Sequence, residues 1–320
     1  MANAEKIHIE TRVSLTPAEL AEISALKARC DAEEGLDLKL GYGAADPAEA
    51  LYPAAWLARA GDTLVGYLSL EGDETVAEMC GMVHPDWRRQ RIGIRLFNSA
   101  RGAFAAMGGR QIFAVCEDAS ASGRVFLRML AGQRAFSEHR MVLRADAPLT
   151  ASADGGLTIT AAEPDDLRPL AAALARAFEN AEERLLADLT SASALATEQV
   201  YVARLDGAII GGFRLSVMPD ATGIYAFGVD RAYQRHGWGR QMLAAACALA
   251  REQGAPRVSL EVETENSAAI ALYEGSGFAI TTTYGYYIFS PTLLIVGLDL
   301  DEDGRLRASP DDAAGDEKPR

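Results

Sequence analysis

Ile224-Tyr225-Ala226-Phe227-Gly228-Val229, followed five residues on by Gln234-Arg235-His236-Gly237-Trp238-Gly239, is the stretch that decides how this chain is read. The first run is apolar, β-branched and aromatic, and predicts a buried strand. After the second, Met242, Leu243, Ala246, Leu249 and Ala250 recur at three- and four-residue spacing, which is helical. Strand, basic glycine-bearing turn and helix together aim backbone N–H groups at an anion. The first helical turn has no internal partners for its donors and lies at the positive end of the dipole. Arg235, His236 and Arg240 add positive charge at the same point. The stretch predicts a pyrophosphate cradle.

A nucleotide P-loop needs Gly-x-x-x-x-Gly-Lys before Ser or Thr, and a dinucleotide fold needs Gly-x-Gly-x-x-Gly against its strand. Neither is present. Glu261 stands roughly twenty residues after Gly239, where a dinucleotide fold keeps a ribose-binding acid, so spacing alone leaves that reading open. Downstream, Val258-Ser259-Leu260-Glu261-Val262-Glu263 alternates as a strand. Asn266-Ser267-Ala268-Ala269-Ile270-Ala271-Leu272-Tyr273 then leads to Gly277-Phe278. Each polar position here also has a structural use: Asn266 as a helix N-cap, Gly277 as a helix stop, Tyr273 as a core aromatic.

The loop resembles the Gln/Arg-x-x-Gly-x-Gly/Ala motif of the GNAT superfamily of N-acetyltransferases. The second segment is similar to that family's Asn-x-x-Ala-x-x-Leu-Tyr-x-x-x-Gly-Phe signature at every named position. The resemblance implies an α+β (mixed α/β) fold in which a central, largely antiparallel sheet is flanked by helices, with acetyl-CoA as co-substrate. Carried over residue by residue, it gives a binding site of Phe227, Gly228, Val229, Gln234, Arg235, His236, Gly237, Trp238, Gly239, Arg240 and Asn266. It further implies direct attack of an amine on the thioester, a backbone N–H near Phe227 to Val229 for the oxyanion, and Tyr273 as general acid. The general base stays open. No glutamate precedes the loop on its strand, and Tyr225, Glu261, Glu263 or water are the candidates.

The 320 residues suggest roughly two domains, and an internal repeat supports that. Trp56-Leu57-Ala58-Arg59 followed by Leu64-Val65-Gly66 recurs as Tyr201-Val202-Ala203-Arg204 followed by Ile209-Ile210-Gly211, each 145 residues on. Val83-His84-Pro85-Asp86-Trp87 recurs as Val229-Asp230-Arg231-Ala232-Tyr233, one residue further offset. Two tandem copies of one domain follow. We expect a first copy over 1–147, a linker over 148–156, a second copy over 157–300 and a disordered acidic tail over 301–320. Thr16-Pro17-Ala18-Glu19 predicts a capped helix start, and Ala60-Gly61-Asp62 a hairpin turn. The segment from Gly35 to Pro53 reads as loop, and in the resembled fold such a segment lines the acceptor site.

The first copy departs from the motif. Its loop is Arg88-Arg89-Gln90-Arg91-Ile92-Gly93, with Arg91 at the first glycine position. Its asparagine position falls on Ala119 or Ser120, and its tyrosine position on Phe126 or Leu127. It offers no phenol, so we expect it to be catalytically degraded while still able to hold a phosphate.

Four cysteines without paired spacing and four scattered histidines indicate neither disulfides nor a metal site. A polar N-terminus and no membrane-length apolar run suggest a cytoplasmic protein without membrane partners. A net charge of −14 argues against nucleic acid. The expected function is an acyl-CoA-dependent N-acyltransferase, most simply acetyl-CoA to a primary amine on a small molecule or peptide, in a monomer or homodimer. A non-catalytic CoA-binding sensor or interaction module is the alternative. The mycothiol synthases, tandem members of the family with similar length and layout, are a narrower one.

Overall fold

The computed structural model describes residues 7–42, 54–73, 75–147, 156–218 and 221–289. Most of the expected linker, most of the acceptor loop and all of the acidic tail lie outside the described residues. Among the described residues no helix is long and apolar enough to cross a membrane. The chain divides into two compact units, one of residues up to Ser137 with those from Tyr284 onward, the other Glu138–Thr283.

The first unit begins with β1 (Ile7–Arg12), which pairs antiparallel with β2 (Ala55–Ala60). Between them runs α1 (Pro17–Glu34). Thr16 accepts the Glu19 N–H while the Glu19 carboxylate takes the Thr16 N–H, and Gly35 closes the helix at φ 70°. The hairpin turn at Gly61 joins β2 to β3 (Thr63–Gly72), which pairs antiparallel with β4 (Val76–Val83). Then follow α2 (Ile92–Ala106), β5 (Gln111–Glu117) and α3 (Ala121–Met129). β4 and β5 are parallel, and α2 is the crossover such a pair requires. One core lies under α2, with Leu96, Phe97, Ala100 and Phe104 buried; a second lies under α1, with Ile23, Leu26, Tyr67 and Met82 buried.

The second unit repeats the plan with β7 (Leu157–Ala161), α4 (Leu167–Phe178), α5 (Glu182–Ser193), β8 (Glu198–Leu205), β9 (Ala208–Val217), β10 (Thr222–Val229), α6 (Trp238–Glu252), β11 (Val258–Glu263) and α7 (Ser267–Glu274). β7 to β10 pair antiparallel in sequence order, and β10 lies parallel to β11. Met242, Leu243, Ala246 and Ala250 of α6 form the buried stripe that their spacing predicts, while Leu249 packs at its margin.

Each unit takes its final strand from the other half of the sequence. β6 (Gln133–Leu143) follows α3, yet its Glu138 to Val142 pair antiparallel with β11 in the second unit. β12 (Phe278–Ile288) follows α7, yet its Tyr284 to Tyr287 pair antiparallel with β5 in the first unit. Fully buried Tyr286 stacks on Phe136 at 4.3 Å, and Phe113 meets Phe136 edge-on at 5.3 Å, so aromatic packing fixes that strand in the first unit.

Candidate active site

In the second unit β10 does not run evenly. Thr222 to Tyr225 pair with Val217 to Arg214, but pairing then resumes only at Gly228 opposite Gly212, one residue out of step. The extra residue is Ala226, at φ 47°. This is a β-bulge with a non-glycine residue in the left-handed region, a conformation disfavoured by about 1–2 kcal/mol. On its other side β10 pairs with β11 only from Thr222 to Ile224, so the two parallel strands separate where the bulge begins. Ala226 and Phe227 therefore have no assigned ladder partner, on either side, among the described residues. The bulge also turns Ala226 toward the α4 and α5 core, while Phe227 packs with the core under α6.

The loop after β10 is fixed by two polar anchors. Gln234 donates from Nε2 to the Val229 carbonyl at 2.9 Å. Asp230, buried, accepts the Ala232 N–H at 3.0 Å and binds Arg176 at 2.7 Å. Burial works to raise the Asp230 pKa, but the Arg176 and Ala232 donors outweigh it and hold the carboxyl below its ordinary value. Arg235 at φ 66° and Gly237 at φ 87° then wind the chain into α6. Nothing lies within 4 Å of a Cβ built on Gly237, so glycine is needed for its φ and not for space. Among the described residues no acceptor is assigned to the N–H groups of residues 235 to 239, whereas those of Arg240 and Gln241 already bond the Gly237 carbonyl. The loop is exposed and carries Arg235, His236 and Arg240, with the His236 Nδ1 2.8 Å from the Gln234 carbonyl oxygen. A solvent-facing row of unpartnered donors amid cations suits a pyrophosphate.

Across the opening stands α7. Asn266 caps it by accepting the Ala269 N–H at 3.1 Å, so its side chain is occupied in helix capping. A Cβ on Gly239 would sit 3.5 Å from Leu272, which sets how closely the start of α6 approaches the last turn of α7. Tyr273 is buried, with its ring edge-on to Phe227 at 6.1 Å, and no partner is assigned to its hydroxyl among the described residues. Burial pushes its pKa up to about 12, keeping the phenol protonated at neutral pH.

The candidate bases are less well placed. Glu261 contacts Arg140 at 3.3 Å, Glu263 is exposed, and Tyr225 lies beneath the Arg214 guanidinium at 5.3 Å.

The first unit reproduces the loop but not the chemistry. Arg89 and Arg91 take φ 65° and 63°, matching Arg235 and Gly237, so the arginine at the glycine position leaves the backbone path unchanged. Arg88 donates from Nε to the Val83 carbonyl at 3.1 Å, as Gln234 does to Val229, and its second arm binds Glu34 at 2.5 Å. Glu34 also accepts from the Ser122 N–H at 3.1 Å and hydroxyl at 2.5 Å, which ties the end of α1 to the start of α3. Burial opposes its ionisation, yet these Ser122 bonds and Arg88 hold its pKa below the ordinary value. Ser120 caps α3 as Asn266 caps α7, and Phe126 lies 3.4 Å from a Cβ on Gly93, as Leu272 does at Gly239. This register puts buried Leu127 where the second unit has Tyr273. β4 also pairs with β3 from Gly72 to Gly66 without a break, so there is no counterpart of the Ala226 bulge.

The family profile described as Acetyltransferase (GNAT) family matches residues 167–278. A curated relative from Propionibacterium freudenreichii subsp. shermanii, named mycothiol acetyltransferase, is 30% identical over 250 residues, spanning 71% of this chain and 75% of the relative. This chain belongs to the GNAT family. It is an N-acetyltransferase of tandem build, and its family uses acetyl-CoA. A second mycothiol acetyltransferase, from Streptomyces avermitilis, is 29% identical over 299 residues, or 86% of this chain and 93% of that one. Among solved structures, a tandem GNAT protein from the clavulanic acid biosynthesis pathway superposes with a TM-score of 0.64 at 18% identity, covering 88% of this chain and 98% of that one. That likeness concerns the fold.

Proposed function

We propose that the second unit transfers an acetyl group from acetyl-CoA to a primary amine, and that the first unit does not turn over. The observation that carries this is the break in β10 pairing at Ala226 and Phe227, with the Phe227 ring 6.1 Å from that of Tyr273, on the strand that leads into the loop of residues 235 to 239. Acetyl-CoA supplies the acyl thioester. Its pyrophosphate suits the N–H groups of Arg235 to Gly239 with the charges of Arg235, His236 and Arg240. The N–H of Phe227, at the break in the ladder, serves the negative charge that grows on the acyl oxygen; one such donor is worth about 10²–10³ in kcat. Tyr273 delivers its phenolic proton to the departing thiolate. Asn266 acts by capping the helix that holds Tyr273. Amine deprotonation is assigned to solvent, because Glu261 is engaged by Arg140 and Glu263 is exposed.

For the acceptor, the names of the relatives favour the amine that a mycothiol acetyltransferase uses. The test is thiol release from acetyl-CoA with that acceptor beside simple amines, amino acids and polyamines. We expect the mycothiol acetyltransferase acceptor to give the highest kcat/KM, with Tyr273→Phe slower on every amine. Absence of thiol release across the panel would leave the sensor reading.

A further inference from the structure

The first unit keeps a cavity of about 900 Å³, although it has neither the bulge nor the phenol. Its mouth is the Arg88–Gly93 loop at the start of α2, where Arg88 is bound to Glu34 and Arg89 and Arg91 flank the opening. From there the cavity follows the gap between β4 and β5, whose pairing ends at Met79 and Ala114. It does not stop at the sheet. Its walls include Ile92 and Phe97 from the core under α2, but also Cys30, Leu38, Tyr67 and Met82 from the core under α1. The two polar side chains among the latter are already committed, the Tyr67 hydroxyl to the Gly41 carbonyl at 2.7 Å and the Cys30 thiol to the Val83 carbonyl at 3.6 Å. Buried Glu117 also lines the cavity, its carboxylate taking the Asp37 N–H at 2.9 Å, while Cys30, Leu38, Tyr67 and Met82 offer a hydrocarbon chain a surface on which it loses no hydrogen bond.

We propose that the first unit is a binding site, without turnover, for a CoA thioester whose acyl chain is longer than acetyl. This rests on the family ligand assigned under the proposed function. The arginine-flanked loop complements the pyrophosphate, and the acyl chain passes through the strand gap into the apolar space beneath α1. Leu127 and the unbroken β4 leave the bound thioester without the donors that acyl transfer needs.

The test is calorimetric titration of the full-length Gly239→Glu chain, in which a carboxylate faces the second cradle, with acetyl-, butyryl- and hexanoyl-CoA. Each added methylene should tighten binding about fourfold, so hexanoyl-CoA should bind on the order of 10² more tightly than acetyl-CoA. Arg89→Glu in the same background should remove that binding. Equal or weaker binding of the longer thioesters, no binding of any of them, or binding that survives Arg89→Glu would overturn the proposal. If Gly239→Glu does not fold, the binding step of the otherwise unaltered chain that Arg89→Glu abolishes is read in its place, with the same expected chain-length dependence. Acetyl transfer by the unaltered chain is measured in parallel. Turnover without chain-length dependence refutes this inference alone, and chain-length dependence without turnover refutes the catalytic reading alone.

Discussion

Deleting Ala226 should convert the second unit's β10 into the uninterrupted strand that the first unit already has. Tyr225 opposes Arg214 and Gly228 opposes Gly212, so two residues separate the pairs on one strand and one on the other. Without Ala226 the ladder is continuous. The faces of the remaining residues are preserved, because Ala226 packs toward the α4 side while Phe227 and Val229 keep the α6 side. The change removes a non-glycine residue at φ 47°, which relieves about 1–2 kcal/mol, offset in part by the lost packing of one methyl group. Thermal stability should therefore hold or rise slightly. The N–H groups at the bulge, however, would enter the ladder and no longer face the site. Loss of one aimed donor predicts a fall of about 10²–10³ in kcat, with the KM for acetyl-CoA little changed because the 235–239 loop is untouched. Thiol-release kinetics and a melting curve on the same preparation give both readings. A folded deletion variant with kcat within about threefold of the unaltered chain would show that the bulge does not stabilise the reaction.

Tyr273→Phe keeps the ring against Phe227 and removes only the proton donor, so kcat should fall by about 10² while acetyl-CoA binding, read by its thermal shift, persists. The alkaline limb of the pH–rate profile from this group should not begin until near its pKa of about 12; a limb centred at pH 8 or 9 would assign the proton elsewhere. Gly237→Val places a β-branched side chain at φ 87° and should abolish the acetyl-CoA thermal shift of the second unit, whereas Gly93→Glu in the first unit should leave most of the turnover intact. Burial raises Cys116 to about 11 and Cys247 and Tyr273 to about 12, all above their values in an unfolded chain. The folded state thus holds protons that the unfolded chain releases. Stability should be full below about pH 9 and fall steadily from there to pH 12, at about 1.4 kcal/mol per group for each pH unit in which folded and unfolded protonation differ. Urea unfolding at pH 8, 9.5 and 11 checks this, and a flat profile would mean the three groups are not excluded from water as described.

How much of this was legible depends on whether the signal is local. The Thr16 and Glu19 capping box, the Gly61 turn and the stripe of α6 depend on residues a few places apart, and the helix and hairpin stand where those residues put them. α1 runs on to Glu34 because the helix stop is Gly35. The bulge was present in the sequence in another form: the repeat offset grows by one residue between Gly211 and Val229, and the extra residue is Ala226. The register of the first copy's α3 was open from sequence because two neighbouring apolar residues could stand for the tyrosine. The contact between Gly93 and Phe126 decides it for Leu127. The pairs Asp230 with Arg176 and Glu34 with Arg88 join residues more than fifty places apart and leave no local trace. Nor does composition show that β6 and β12 change units. Both read as ordinary β-forming runs whose partners are chosen by the remaining sheet.

That change of units bears on the order in which the chain can fold during synthesis. β5 takes as its neighbour a strand roughly 170 residues further on, so the first unit's sheet carries an open edge until almost the whole chain has emerged. Vectorial folding, in which an N-terminal domain is finished before its successor is made, is closed to this protein. The first unit's sheet is completed only after Tyr287 leaves the ribosome, when every residue of the second unit has already emerged, and in the interval the exposed edge of β5 is a surface that a chaperone, or a second nascent copy, would meet first.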